Sequence, residues 1–115
     1  MTGVLLAAGG SALGGAVRYL LAGWLDRPGF PWGTLLVNVL GCAAIGLVWA
    51  WWGQGSWQRT LFASGVLGGF TTFSAFSMQT LVLIQDGRLP IALGYIAASL
   101  GLCLLAVAAG YQLGR

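Results

Sequence analysis

Four long apolar stretches, separated by short turns, leave this chain almost no charged side chains with which to cover a water-soluble fold. Only 6% of its 115 residues are charged and 58% are hydrophobic, whereas soluble domains carry about 25% charged residues. A helix needs about 20 apolar residues to cross the hydrocarbon core of a bilayer. The sequence therefore predicts an all-α membrane protein with four transmembrane helices, and a single transmembrane domain over residues 1–115.

Turn residues set the bounds of the predicted spans. Prolines and glycines interrupt the apolar pattern after the first span, glycines after the second, and an Asp-Gly-Arg turn after the third. The four predicted spans run approximately over residues 3–25, 34–52, 57–84 and 90–113. The third is too long for one straight crossing, and its paired glycines and threonines are poor helix formers. We therefore expect this helix to be broken between Gly68 and Thr72, with a continuous helix packed through its glycines as the alternative.

The arginines bear on how the chain is oriented in the membrane. Four spans place both termini on one side, together with Arg59 and Arg115, whereas Arg27 and Arg88 lie on the other side. This balance gives little orientation preference under the positive-inside rule. Copies inserted in opposite directions could then pair as an antiparallel dimer of dual topology. The alternative is a single orientation set by factors outside the sequence.

Ionisable groups are nearly absent from the predicted spans, which excludes several classes of protein. No carboxylate lies in a span centre, the chain has no His or Lys, and Arg18 stays protonated. A proton-coupled transporter normally needs a titratable group at membrane depth, and an enzyme needs a general base or a metal set. Cys42 and Cys103 lie in apolar runs, where packing is the simpler role. No stripe of basic residues points to nucleic acid, so passive transport or a structural role remains.

The polar residues inside the spans favour hydrogen-bond donors without negative charge. Thr34 and Asn38 are four residues apart and share one helix face, and Phe73 and Phe76 are three apart and share another. Amide and hydroxyl groups donate hydrogen bonds, and an aromatic ring has a positive edge, so both could contact an anion. The alternative for each piece is helix packing and interhelical hydrogen bonding.

Three motifs along the chain resemble those of one known family. They are residues 14–19 in the first span, residues 31–41 entering the second, and residues 68–77 in the third, with Tyr95 and Ser99 one turn apart in the fourth. The Gly-Gly-x-Thr-Thr-Phe-Ser-x-Phe-Ser run, joined to the Asn38 motif, is the most specific part. The chain resembles the small fluoride channels called Fluc or CrcB over nearly its whole length.

The resemblance implies a passive channel of the bacterial inner membrane that exports fluoride from the cytoplasm and relieves its toxicity. It implies an antiparallel homodimer with two parallel fluoride pathways, so the expected partners are fluoride, a second copy of the chain and the lipid bilayer. The residues implied to line the pathway are Asn38, Phe73, Phe76, Ser99, Tyr95, Thr34, Ser77 and Thr80.

The resemblance also implies a structural sodium ion at the dimer centre, held in the break of the third helix. Its expected ligands are the backbone carbonyls of Gly68 and Thr71, two from each subunit, and a hard cation prefers such oxygen ligands. Arg18 is expected near a wide vestibule, where its charge would attract anions.

Two positions depart from the family pattern. Gln79 stands where family members often carry Glu, so a role that needs a carboxylate there cannot operate. Cys103 stands where the fourth helix often carries a second Ser, and a thiol is a weak donor.

Two rival functions compete with a fluoride channel. The first is a small multidrug exporter, but such a protein needs a membrane-embedded Glu, and this chain has none. The second is a membrane protein that interacts with partners without transporting anything.

Overall fold

The computed structural model describes all 115 residues and is built almost entirely of helices. Four of its helical stretches are long and apolar enough to cross a membrane. The first, second and fourth stretches are α1 (Thr2–Leu25), α2 (Trp32–Trp51) and α6 (Leu89–Gly114). The third stretch runs from Trp57 to Gln85. The prediction of an all-α protein with four apolar spans is therefore confirmed.

The third stretch consists of several helical pieces. They are α3 (Trp57–Arg59), a π-helix over Thr60–Leu67, α4 (Gly68–Phe70) and α5 (Phe73–Gln85). Thr71 and Thr72 between the last two pieces are extended, with ψ angles of 155° and 119°. The predicted break is thus present, but it occupies the two threonines, and the paired glycines before them remain helical.

Close backbone contact holds the first half of this broken stretch against α1. A methyl group added to Gly14 would overlap the Val66 carbonyl oxygen, and one added to Gly10 would lie 2.7 Å from the Leu61 carbonyl oxygen. Small residues allow this approach in a membrane, where close van der Waals packing stabilises helix pairs. The contact fixes the position of the chain just before the break.

A second close contact joins α2 to α6 on the other side of the molecule. Methyl groups added to Gly46 and Gly110 would overlap the carbonyl oxygens of Val107 and Ala43 respectively. Helices α2, α5 and α6 meet in a buried cluster of Leu35, Phe76, Leu83, Ala92 and Tyr95. The break in the third stretch therefore lies between two tightly packed helix pairs, facing α2 and α6.

Candidate functional site

The Asn38 side chain forms hydrogen bonds with the backbone where the third stretch is broken. Its Nδ2 donates a hydrogen bond to the Thr72 carbonyl oxygen at 3.1 Å, and its Oδ1 accepts one from the Thr72 N–H at 2.9 Å. A carboxamide can do both because it carries a donor and an acceptor side by side, as a peptide group does. An extended backbone at membrane depth persists only where protein or water satisfies it. Asn38 supplies that partner and retains one N–H on Nδ2.

Two further side chains stabilise the same break. The Thr72 hydroxyl accepts a hydrogen bond from the Ala75 N–H at 3.2 Å and so caps the first turn of α5. From α1, Arg18 Nε donates to the Gly69 carbonyl oxygen at 3.2 Å. Arg18, which the resemblance assigns to a vestibule, thus contacts the backbone of the short helix α4 just before the break.

Two carbonyl oxygens at the break lack the partner that a continuous helix would give them. The Thr72 N–H donates to Asn38, so the Gly68 carbonyl does not receive the usual bond from the residue four positions later. The Thr71 carbonyl accepts no hydrogen bond within the chain. These are the two carbonyls that the resemblance assigns to sodium, and they leave oxygen ligands available at the break.

A groove of about 310 Å³ lies over the break and contains no charged side chain. It brings together four of the predicted pathway residues, Asn38, Phe73, Phe76 and Ser99, with Gly68 and Thr71 of the predicted sodium site. The other lining residues are Gly41, Cys42, Ile45, Ala63, Leu67, Thr72, Leu100 and Cys103. Residues from α2, α4, α5 and α6 therefore converge on one uncharged cavity.

The Ser99 hydroxyl is the least satisfied polar group of this groove. Ser99 is only 5% exposed, and its Oγ has no hydrogen-bond partner. Buried side-chain oxygens almost always have a partner, so each exception calls for an explanation. A hydroxyl can donate one hydrogen bond. Ser99 therefore presents a free donor to whatever occupies the groove.

Two aromatic rings lie beside this donor. The ring centroids of Phe73 and Phe76 are 5.5 Å apart and the rings are tilted by 48°. Phe76 is buried, whereas Phe73 is 74% exposed and stands at the open side of the groove. Because the edge of an aromatic ring carries positive potential, rings tilted in this way can offer an edge to an anion.

Four predicted pathway residues do not line the groove, namely Thr34, Ser77, Thr80 and Tyr95. The Thr80 hydroxyl donates to the Phe76 carbonyl oxygen at 2.8 Å, so its proton is engaged within α5. Tyr95 is fully buried below Phe76, with ring centroids 5.1 Å apart, and donates to Gln79 Oε1 at 3.1 Å. Thr34 is also buried, and Ser77 is exposed on α5.

One further polar residue, which no sequence pattern marks as part of a site, connects to these positions. Asp26 Oδ1 accepts hydrogen bonds from the N–H groups of Gly33 at 2.8 Å and Thr34 at 3.2 Å, so it caps the start of α2. Its Oδ2 accepts from Gln79 Nε2 at 3.4 Å. A helix cap normally comes from the residue just before the helix, and no local pattern marks one that folds back from a preceding turn.

The fold and the groove define a class: a small multi-pass membrane protein with an uncharged, donor-lined cavity over a broken helix. A family model described as CrcB-like protein, Camphor Resistance (CrcB), matches residues 5–111. The chain belongs to this family, as the resemblance in its motifs predicted.

Three relatives named fluoride-specific ion channel FluC illustrate the similarity. The protein from Rhizobium meliloti (strain 1021) is 44% identical, and the alignment covers all of this chain and 98% of the relative. The one from Paracoccus denitrificans (strain Pd 1222) is 49% identical, over 92% of this chain and 89% of the relative. The one from Thermus thermophilus is 47% identical, over 96% of this chain and 91% of the relative.

Proposed function

We propose that this chain is a fluoride-selective passive ion channel of the bacterial inner membrane, which exports fluoride from the cytoplasm and reduces its toxicity. The observation that carries the proposal is the buried Ser99 hydroxyl without a partner, in a groove that has donors but no charge. Relatives similar over 100% and 92% of the chain are named fluoride-specific ion channels. The family is a channel family, which agrees with the expectation that the chain is not an enzyme.

The groove suits an anion that must lose its water. A small anion gives up hydration on entering a narrow site, and protein donors must replace that hydration without binding so tightly that the ion cannot leave. The Ser99 hydroxyl and the remaining N–H of Asn38 are such donors, and the Phe73 and Phe76 ring edges add weaker contacts. With no carboxylate in the groove, nothing there repels the ion.

We further propose that two copies form an antiparallel homodimer that closes the open side of the groove. Phe73 is 74% exposed there, and Ser74 and Ser77 are exposed on the same helix. Lipid tails cannot hydrogen-bond hydroxyl groups, so a second copy is a better cover for this face than lipid. The balance of arginines between the two sides favours insertion in both orientations, and each dimer would then hold two pathways.

We also propose that a sodium ion binds at the break of the third stretch. The Gly68 carbonyl lacks its helical partner and the Thr71 carbonyl accepts no hydrogen bond, so both are free to bind a cation. Backbone carbonyls are the ligand type that a hard cation prefers, and two copies would supply four of them. The ion would neutralise oxygen dipoles at the break and join the two subunits there.

Flux from liposomes tests the channel function. Purified protein is reconstituted with internal potassium fluoride or potassium chloride, and valinomycin is added to start efflux under a potassium gradient. We expect rapid efflux of fluoride and none of chloride, with protein-free liposomes as the control. Equal retention of fluoride with and without the protein would contradict the proposal.

The sodium site predicts a dependence on the cation present. In detergent, the dimer is expected to melt at a higher temperature in sodium chloride than in the same concentration of caesium chloride, because a larger cation does not fit a site formed for sodium. The melting temperature and the dimer fraction are measured together. Identical values in the two salts would remove sodium from the proposal and leave the flux test unaffected.

A further inference from the structure

A chain of hydrogen bonds joins the turn before α2 to the buried face of α6. Tyr95 Oη lies 3.1 Å from Gln79 Oε1, and Gln79 Nε2 lies 3.4 Å from Asp26 Oδ2. The other carboxylate oxygen, Asp26 Oδ1, accepts from the backbone N–H groups of Gly33 and Thr34. Three side chains, one from this turn and one each from α5 and α6, are thus linked in series.

Asp26 determines which groups donate and which accept in this hydrogen-bonded series. An ionised carboxylate only accepts hydrogen bonds, so Gln79 must turn its NH₂ group toward Asp26. The amide oxygen of Gln79 then faces Tyr95, and an amide oxygen also only accepts. Tyr95 must therefore donate its hydroxyl proton to Gln79, and that proton is not available to an anion.

The position of Tyr95 makes this proton relevant to ion movement. On one side, Tyr95 lies against Phe76 of the groove, and it precedes Ser99 by one turn of α6. On the other side, Gln79 and Asp26 line a separate cleft of about 260 Å³ between the two turns. The groove and this cleft share no lining residue, so the Tyr95–Gln79 hydrogen bond lies in the protein that separates them.

We propose that Asp26 is a positioning residue, which orients the Gln79 amide and thereby keeps the Tyr95 hydroxyl proton from binding an anion that crosses between groove and cleft. The inference rests on the proposed fluoride conduction. It gives the carboxylate a role at a distance: Asp26 stays at the turn, and its effect reaches Tyr95 through Gln79. It also assigns a task to Gln79, whose neutral amide can link a carboxylate on one side to a hydroxyl on the other.

The variant Asp26→Asn is expected to reverse the order of donors and acceptors in this hydrogen-bonded series, while the cap at the start of α2 stays in place. The Asn oxygen still accepts from the N–H groups of Gly33 and Thr34, so its NH₂ group points at Gln79. Two facing NH₂ groups repel, and the Gln79 amide therefore turns over and donates to Tyr95. The Tyr95 hydroxyl proton becomes free to donate to fluoride.

Fluoride flux measures the result. Because a hydrogen bond to a charged group is stronger than one between neutral groups, we expect D26N to lower the fluoride concentration at half-maximal flux by about fivefold or more. The additional variant Tyr95→Phe should abolish this gain, so the two changes are coupled. Asp86→Asn is the matched control, since it removes the same charge from the same cleft at an exposed position, and we expect no gain.

A second variant tests the same link without touching the cap of α2. Gln79→Met removes the acceptor of the Tyr95 proton. It should lower the fluoride concentration at half-maximal flux to a similar extent, again only when Tyr95 is present. The inference is overturned if D26N folds but leaves the half-maximal concentration unchanged, or if its gain persists with Phe at position 95. If D26N does not fold, an unchanged value in Gln79→Met overturns it.

A spectroscopic readout separates this inference from the proposed function. The infrared difference spectrum between the protein and Tyr95→Phe isolates the C–O stretch of Tyr95, which reports whether its hydroxyl donates or accepts. We expect a donor-type band in the native chain and an acceptor-type band in D26N, and the same band in both would overturn the inference. Failure of the native protein to pass fluoride would instead refute the proposed function, while the infrared comparison would still decide the role of Asp26.

Discussion

At the scale of single residues, Asn38 pairs with the backbone at the break and also carries a donor that the proposed ion path would use. The sequence identified Asn38 as a polar residue within a span. It could not identify the hydrogen-bond partner of Asn38, because residue spacing along the sequence gives no distance between helices. The structure pairs its amide with both backbone groups of Thr72 and leaves one N–H free. For the same reason, Arg18 could be recognised as the only charged residue away from the ends of the spans, but its contact with the Gly69 carbonyl could not.

Replacing Asn38 by Asp should abolish fluoride flux. The carboxylate cannot donate to the Thr72 carbonyl, and it places a negative charge in an otherwise uncharged groove, so we expect a loss of at least about 100-fold, equivalent to about 2.7 kcal/mol. The matched control is Cys42→Asp, which adds a carboxylate to the same groove and leaves the Asn38–Thr72 pair intact.

Liposome flux tests the proposed conduction role of Asn38, and thermal melting tests its structural role at the break. Both variants should lose flux, but only Asn38→Asp should also lower the melting temperature, because only it breaks the hydrogen bonds that hold the break. Flux at the native rate in Asn38→Asp would remove this residue from the pathway.

Ser99 leads to a prediction in which stability and function change in opposite directions. Its hydroxyl is buried without a partner, which costs about 1–3 kcal/mol. Replacing Ser99 by Ala should therefore raise the melting temperature or leave it unchanged, while fluoride flux falls by about tenfold because a donor is lost. The control is Ser64→Ala, at an exposed position outside the groove. A variant with normal flux would show that the hydroxyl is not part of the ion path.

At the scale of helices, the sequence predicted the break in the third span but not how the span reaches it. Paired glycines followed by threonines indicated a weak helix, and the extended residues are indeed Thr71 and Thr72. The π-helix over Thr60–Leu67 was not predicted. Gly65 within it packs closely against Gly10 of α1, and a local sequence pattern carries no information on such a contact between helices.

The contact between α1 and this stretch predicts different effects at two adjacent glycines. A methyl group at Gly14 overlaps the Val66 carbonyl oxygen, whereas one at Gly15 meets only atoms 3.9 Å away. Gly14→Ala should thus destabilise the protein by about 1–3 kcal/mol through overpacking. Gly15→Ala should be neutral or slightly stabilising, because Ala favours helix over Gly. Equal melting temperatures for the two variants would mean that the helices separate without cost, contrary to the packing described above.

At the scale of the whole molecule, the proposed dimer accounts for two features of the single chain. The groove is open where Phe73 is exposed, and two carbonyl oxygens at the break lack partners. These features are explained together if a second copy, inverted in the membrane, covers the groove. The sequence indicated such an arrangement only indirectly, through its balance of arginines, because residue order along one chain does not show which surface a second copy contacts.

Charge bias provides the test of this arrangement. The variant Gln54→Arg with Gln112→Arg adds two arginines to the side of the termini, and Gln85→Arg with Asp86→Arg adds two to the opposite side, all at exposed positions. Under the positive-inside rule, each variant should insert in one orientation only, and the two orientations should be opposite. Alone, each lacks an inverted partner, so we expect neither to protect a fluoride-sensitive bacterium. Expressed together, they should restore growth in fluoride, because opposite copies can again pair. Protection by either variant alone would contradict the antiparallel dimer, since a channel formed by chains of one orientation would then be sufficient.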